Sequence, residues 1–132
     1  MSIYIQIFEY VNVYKRWELK LWEDMQEFKA DFFKALSHPL RIRILELLSE
    51  GDKTVNEMQA ILNSEGSAVS QQLSMLRTKN IVIGTKKGKN VVYSLRDPNI
   101  TNLLEIAREI FNNHYVETVT MLEELNKNKN KK

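Results

Sequence analysis

The stretch from Ser67 to Lys79 combines one apolar side with one side of small polar and basic groups. Val69, Leu73 and Leu76 recur at steps of four and three, which predicts a helix that buries this side. The other side carries hydroxyl, amide and guanidinium groups: Ser67, Ser70, Gln71, Ser74, Arg77 and Thr78. Such groups form hydrogen bonds with base edges and phosphates, and the small ones permit close approach to a major groove. The pattern therefore predicts a DNA-reading helix.

Composition limits what the rest of the chain can be. At 132 residues it is predicted to form one domain, and its net charge of +2 permits nucleic-acid binding without requiring it. The absence of cysteine excludes disulfides, thiolate metal sites and thiol redox sensing. No apolar run approaches the roughly 20 residues that span a bilayer, and the N-terminus lacks signal-peptide features. We therefore expect a cytoplasmic location and no membrane partner.

Two patterns precede Pro39. Residues 15–36 place apolar, largely aromatic residues at helical spacing, which predicts a long amphipathic helix. Residues 1–14 form an N-terminal extension in which Ile3, Ile5 and Ile7 alternate with other side chains at strand spacing. Four interpretations remain open for this extension. It pairs across a dimer, lengthens the next helix, is disordered, or precedes a true start at Met25.

Proline, glycine and helix-capping residues divide the middle of the chain into separate helices. Pro39 suits the first turn of a helix that runs to about Glu50, and Gly51 is expected to cap its end. Thr54 and Glu57 have capping-box spacing at the start of a short helix. That helix is predicted to bury Val55, Met58, Ile61 and Leu62 before the turn at residues 63–66. These signals place a helix-turn-helix around the candidate reading helix.

A hairpin and a last long helix follow. Residues 81–86 and 91–95 have strand composition, and the connection between them carries Lys87, Gly88 and Lys89. Asp97 and Pro98 suit the start of a helix that runs to about Leu125, roughly 40 Å at 1.5 Å per residue. Since no small domain covers such a helix alone, we expect homodimerisation through the long N- and C-terminal helices. Residues 15–125 then form the working domain, and residues 126–132 form a disordered basic tail.

The resulting fold class is mainly α with a small β-hairpin, a winged helix-turn-helix. In this order the chain resembles the ArsR/SmtB family of bacterial transcriptional repressors. The resemblance rests on Phe33–Leu48, on Ser67–Arg77, and on the hairpin with Val92–Leu95, and it covers about residues 28–120. It implies a homodimer that binds an imperfect inverted repeat in double-stranded DNA and leaves it when an inducer binds.

The resemblance also assigns roles to individual positions. Ser67, Ser70 and Gln71 match positions that meet base edges and adjacent phosphates, and Gln72 stands close to a position where the family often has histidine. Lys87 and Lys89 would meet phosphate or the minor groove from the wing. Arg41, Arg77 and Lys79 are plausible backbone contacts. Each basic residue has a simpler explanation as ordinary polar surface, so the group is more persuasive than any member.

The family's best-known members sense metals or thiol chemistry, and this chain departs from both patterns. Thr54 and Asn56 fall where a thiolate pair would lie, and Asn99 replaces an expected histidine. His114 and Glu117 share a helix face and are the remaining metal candidates. His114 lies on an apolar stripe, however, where histidine more often packs against other residues. We therefore predict no cofactor and leave the inducer unassigned.

Two other function classes were compared with a DNA-binding regulator. A winged helix can serve as a protein-interaction module without reading DNA, but such a module more often shows apolar residues where Ser67, Ser70, Gln71 and Ser74 stand. An enzyme is disfavoured because the chain has no cysteine, two histidines distant in sequence and no phosphate-cradling glycine loop.

Overall fold

The computed structural model describes residues 2–131. Its elements follow in the order α1 (Ile3–Leu36), α2 (Pro39–Ser49), β1 (Lys53–Thr54), α3 (Val55–Leu62), α4 (Ala68–Thr78), β2 (Val82–Lys87), β3 (Asn90–Leu95) and α5 (Asn99–Asn130). The chain divides into two compact units, the first ending at Pro39 and the second beginning at Leu40. None of the helices within residues 2–131 combines the length and the apolarity needed to cross a membrane.

The second unit contains the predicted winged helix-turn-helix. Strands β2 and β3 form the expected antiparallel hairpin, with Val82 opposite Leu95 and Lys87 opposite Asn90. A third strand, β1, pairs with the outer side of β3 and gives the sheet order β1-β3-β2. This strand was not predicted, because two residues are too short to show an alternating pattern.

The core of the second unit is built from one side of each short helix and the start of β2. Its fully buried side chains are Ile44, Leu45, Met58, Val69, Leu73, Leu76, Ile81 and Val82. The predicted buried face of α4 is thus confirmed. The prediction for Ile61 was wrong, since this side chain is 53% exposed. Val55, Met58 and Leu62 define one face of α3, and at 100° per residue Ile61 falls beyond its edge.

The first unit is dominated by α1, which begins at Ile3 and not near Lys15. Residues 3–14 therefore lengthen the next helix, one of the four interpretations left open, and do not form a strand. The physical reason is that Ile3, Ile7, Tyr10 and Tyr14 recur at steps of four and three, in line with the stripe that follows. The spacing of Ile3, Ile5 and Ile7 is compatible with the two-residue period of a strand and also with the 3.6-residue period of a helix.

Helix α5 is also longer than predicted. It continues to Asn130, so residues 126–130 are helical and the expectation of disorder there was wrong; Lys132 lies outside the described residues. No glycine or proline follows Leu125, and Lys127 and Lys129 in the last turn favour the negative end of the helix dipole. At its start, the amide of Asn99 donates to Asp97 Oδ1 over 2.9 Å. Asp97 therefore caps the helix, but the helix begins at Asn99 and not at Pro98 as predicted, so the cap lies two residues before its first residue.

Truncation of the buried side of α4 should destabilise the second unit. Leu73→Ala is expected to lower the free energy of unfolding by about 2–5 kcal/mol, because a fully buried leucine leaves a cavity. Met75→Ala on the same helix is the matched control, since Met75 is 43% exposed and should cost about 0.5 kcal/mol. Denaturant unfolding at fixed protein concentration measures both, and equal losses would contradict the assignment of the core.

Candidate nucleic-acid interface

Helix α3 is fixed at both ends by local hydrogen bonds. Thr54 Oγ1 accepts from the amide of Glu57 over 3.2 Å, as the capping box predicts. The second bond of the pair joins the two side chains, since Thr54 Oγ1 donates to Glu57 Oε1 over 3.1 Å. At the other end Asn63 adopts a left-handed conformation with φ 49° and closes the helix. The capped helix gives the following turn a defined starting point.

The turn into α4 is tied back to α3. Gln59 Nε2 donates to the carbonyl oxygen of Gly66 over 2.9 Å. Gly66 has φ +65°, a conformation that glycine adopts without the strain a side chain would introduce. Because this bond spans the turn, it sets where α4 begins relative to α3.

Helix α4 turns its predicted polar side outward. Val69, Leu73 and Leu76 are fully buried, and the opposite side of the helix exposes Ser67, Ser70, Gln71, Ser74, Arg77 and Thr78. Gln72 is half-buried and lies to one side of this surface, so it is the least accessible of the α4 candidates. We call the exposed set of Ser67, Ser70, Gln71, Ser74, Arg77 and Thr78 the polar face of α4.

Two side-chain bonds order the polar face. Gln71 Nε2 donates to Ser67 Oγ over 3.2 Å, and Thr78 Oγ1 donates to the Ser74 carbonyl over 2.9 Å. The first bond leaves the Gln71 carbonyl oxygen free to accept and the Ser67 hydroxyl free to donate. The face thus offers donors and acceptors together, which is what base-edge recognition requires.

The connection from α4 to β2 orients the wing. Asn80 has φ 59°, and the next amide, that of Ile81, donates to the Leu76 carbonyl over 2.9 Å. This is the geometry of a helix closed by a left-handed residue. Sequence reasoning missed Asn80, although an asparagine just after an amphipathic stretch is a known signal for such a cap. The cap places β2 directly after α4, where Ile81 and Val82 continue the core.

The tip of the wing is a two-residue connection that carries basic side chains. Gly88 and Lys89 join the paired residues Lys87 and Asn90, and Gly88 has φ +62°, as the first central residue of a II′ turn requires. Lys86, Lys87 and Lys89 are all exposed. Further down the wing, a Cβ at Gly84 would lie 3.2 Å from the Tyr93 ring, so glycine allows that ring to lie across β2.

Two further basic candidates, Arg41 and Lys79, differ in how exposed they are. Lys79 is the exposed C-cap residue of α4. Arg41 is half-buried on α2, and its buried Nε has no hydrogen-bond partner. A buried donor without a partner costs free energy, so the Arg41 Nε is an unsatisfied donor among the residues that the structure describes. Its position was predicted as a backbone contact, but its partial burial was not.

The metal candidates lie on α5. His114 and Glu117 are both exposed, and Thr118 Oγ1 donates to the His114 carbonyl over 2.9 Å. Across residues 2–131, no three histidine, aspartate or glutamate side chains come together in a group able to hold a metal ion. One chain therefore offers this site two donors, fewer than the four that a structural zinc site uses.

Comparisons with known proteins agree with this geometry. The model of the bacterial regulatory protein, arsR family, matches residues 38–83, from the start of α2 into β2. The uncharacterised HTH-type transcriptional regulator Rv0081 of Mycobacterium tuberculosis is 41% identical over 104 residues, which are 78% of this chain and 91% of that protein. The chain belongs to the ArsR family. It is therefore a helix-turn-helix regulator and not an enzyme.

Solved structures and a further relative extend the comparison. The crystal structure of Rv0081 covers 72% of this chain and 96% of that one, with a TM-score of 0.66. The structure of reduced HlyU from Vibrio cholerae, 25% identical, covers 70% of this chain and 97% of its own with a TM-score of 0.62. The transcriptional repressor SmtB homolog of Synechocystis is 38% identical over 80 residues, which are 61% of each chain.

Proposed function

We propose that this ArsR-family chain is a cytoplasmic, homodimeric transcriptional repressor that binds an inverted repeat in double-stranded DNA. The observation that carries the proposal is the polar face of α4, which is turned outward because the opposite side of the helix is fully buried. The wing adds exposed lysines on the strand that follows. A relative, the SmtB homolog of Synechocystis, bears the description of a transcriptional repressor.

Roles within the interface follow from position and chemistry. Ser67, Ser70 and Gln71 lie on the first half of the polar face and are proposed to meet base edges and adjacent phosphates. Arg77 and Lys79 at the end of α4, with Arg41 on α2, are proposed to contact the backbone. Lys87 and Lys89 would reach phosphate or the minor groove. Ser74 is a further candidate on the polar face, and Gln72, which lies to one side of it, is a peripheral one.

The apolar faces of the long helices support the proposed dimer. From Ile110 onward, α5 exposes a line of large apolar side chains at 53–69%: Ile110, Phe111, Met121, Leu122 and Leu125. Phe28 on α1 is 76% exposed. Exposed apolar surface of this extent marks an interaction site. A two-fold dimer built on it presents two α4 helices, and two reading helices one DNA turn apart, roughly 34 Å, match successive major grooves.

The alternative, a protein-interaction module that does not read DNA, is less well supported. Such a module would bury apolar anchors at its contact surface. The polar face of α4 carries none among Ser67, Ser70, Gln71, Ser74 and Arg77. A mobility-shift assay on the DNA upstream of the gene decides between the two, since lack of preference over random DNA at moderate salt would favour the module.

Loss of polar-face side chains should reduce discrimination between sites. Ser70→Ala and Gln71→Ala are each expected to lower the preference for the operator over a mismatched site by about 1–3 kcal/mol, because a base contact is lost. Asn113→Ala on exposed α5 is the control and should leave the preference unchanged. Competition binding measures the ratio, and an unaltered ratio in both α4 variants would reject α4 as the reading helix.

A wing lysine should act on all sequences alike. Lys87→Ala is expected to weaken operator and random DNA equally, and to reduce the slope of log affinity against log salt by about 0.9, the release of counterions from one phosphate. Lys20→Ala removes the same charge from exposed α1 and serves as the control. Affinity titrations at several salt concentrations give both slopes. Equal slopes for Lys87→Ala and the unsubstituted protein would remove the wing from the interface.

Release from DNA is proposed to require an inducer that is not a metal bound by His114 and Glu117. Native mass spectrometry of the purified protein is expected to show a dimer mass without retained metal, and added zinc, nickel or copper should leave DNA binding unchanged. The pair still shares one face of α5, and two copies across a dimer axis would supply four donors. Metal retained by the unsubstituted protein and lost in His114→Ala would overturn this expectation.

A further inference from the structure

The first twelve residues of α1 expose an unusual amount of apolar surface. Nine of the residues from Ile3 to Tyr14 are aliphatic or aromatic, and the polar ones are Gln6, Glu9 and Asn12. Each of the nine is 46–79% exposed in the single chain. Tyr10 Oη donates to Tyr14 Oη over 2.7 Å, a bond that raises the pKa of Tyr10 above its ordinary value. We call Ile3–Tyr14 the N-terminal segment of α1.

The apolar residues surround most of the segment. At 100° per residue, Ile3, Ile7, Tyr10 and Tyr14 form one line, Tyr4, Phe8 and Val11 lie on one flank, and Ile5 and Val13 lie on the other side. Gln6, Glu9 and Asn12 lie about 60° apart around the helix and form a polar line about 120° wide, which also contains Ile5 and Val13. A helix that is apolar around most of its circumference is normally buried, and one neighbouring helix would cover only one side of it. The segment therefore needs more than one neighbour.

The central line is self-complementary. It continues through Trp17 to Leu21 without a charged residue, in steps of four and three. Antiparallel pairing about Asn12 would set Ile3 opposite Leu21, Ile7 opposite Trp17, and Tyr10 opposite Tyr14. A surface that pairs with itself in this way suits a two-fold axis between identical chains.

Charge also favours the antiparallel arrangement of two copies. Within the segment Glu9 is the one charged residue, and Lys15, Arg16, Glu18 and Lys20 follow it. Antiparallel packing about Asn12 would set Lys15 level with Glu9 of the other copy, whereas parallel packing would set Lys15 and Arg16 beside the same cations of the other copy. A lipid surface is a poorer partner, because helices that lie on membranes place lysine or arginine along the polar line and this segment has none.

The N-terminal segment lies outside the matched family model, which begins at residue 38. The Rv0081 structure is matched over 96% of its own chain and yet covers only 72% of this one, and the family model begins at residue 38. About a quarter of this chain thus lies outside the match. A self-pairing segment outside the family model would create an interface separate from the dimer proposed above.

We propose that the N-terminal segment of α1 packs against copies of itself and joins two dimers into a tetramer. This inference rests on the proposed dimer, and it goes beyond it by giving the assembly two pairs of α4 helices. A tetramer with two DNA-reading surfaces can hold two operators at once, because the second binding event becomes intramolecular and its effective concentration rises.

Sedimentation velocity and native mass spectrometry of the full chain test the proposal. The unsubstituted protein is expected to form a tetramer. Ile7→Lys should raise the tetramer–dimer dissociation constant by about tenfold or more, because the charge replaces an apolar contact at the interface. Asn12→Lys adds the same charge on the polar line and should leave the tetramer intact. Tyr14→Lys is a second variant on the apolar line, and circular dichroism confirms that each variant keeps its helix.

The outcomes separate this inference from the proposed function. A protein that stays dimeric at its highest soluble concentration, or a tetramer equally tolerant of Ile7→Lys, Tyr14→Lys and Asn12→Lys, overturns the inference. Cosedimentation of a dimeric protein with phosphatidylglycerol vesicles would do so as well. If the inference is supported, the Ile7→Lys variant should bind a single operator with unchanged affinity but should no longer hold two operators together. A tetramer that fails to prefer any DNA would refute the repressor and leave the inference standing.

Discussion

Burial of one side of α4 is the constraint on which the interface depends. Val69, Leu73 and Leu76 are fully buried, and helical geometry then fixes the direction of every other side chain on the helix. Ser70, Gln71 and Ser74 face solvent because the apolar residues do not. The same packing continues into Ile81 and Val82, so the core that holds α4 also holds the first strand of the wing. One set of contacts thereby positions both parts of the proposed DNA-binding surface.

The parts predicted correctly from sequence are those whose signals are local. The capping box at Thr54, the buried line of α4 and the glycine at the hairpin tip each depend on residues a few positions apart. Where two periods fitted the same residues, as at Ile3, Ile5 and Ile7, sequence left the choice open, and the longer helical line that continues toward Leu36 decided it. Strand β1 exists because β3 offers it a partner, and such long-range pairing leaves no local pattern.

In the candidate interface, too, local features were predicted from sequence and features that depend on packing were not. The composition of the polar face followed from spacing alone, whereas the bond between Gln71 and Ser67 did not, because it depends on rotamers. Gln72 was proposed by resemblance to a family position, and its half-buried place to one side of the polar face weakens that assignment. The partial burial of Arg41, with an unsatisfied Nε, likewise required the packing of α2 to be known. Family position indicates which residues to consider, and packing determines what each can reach.

The exposed apolar surface and the polar face of α4 lie on different helices, so assembly of chains and recognition of DNA are assigned to different parts of the protein. Around the polar face the second unit closes its own core, and within it the large apolar side chains left open are concentrated on α5. The first unit exposes its apolar side chains along α1. Association of chains is driven mainly by burial of apolar surface, whereas recognition of a DNA sequence depends on polar contacts. Substitutions on the long helices can therefore alter how many copies assemble without changing the DNA sequence that α4 is proposed to recognise. An inducer that acts on assembly would therefore act on α1 or α5 and not on the residues of α4 that are proposed to contact DNA.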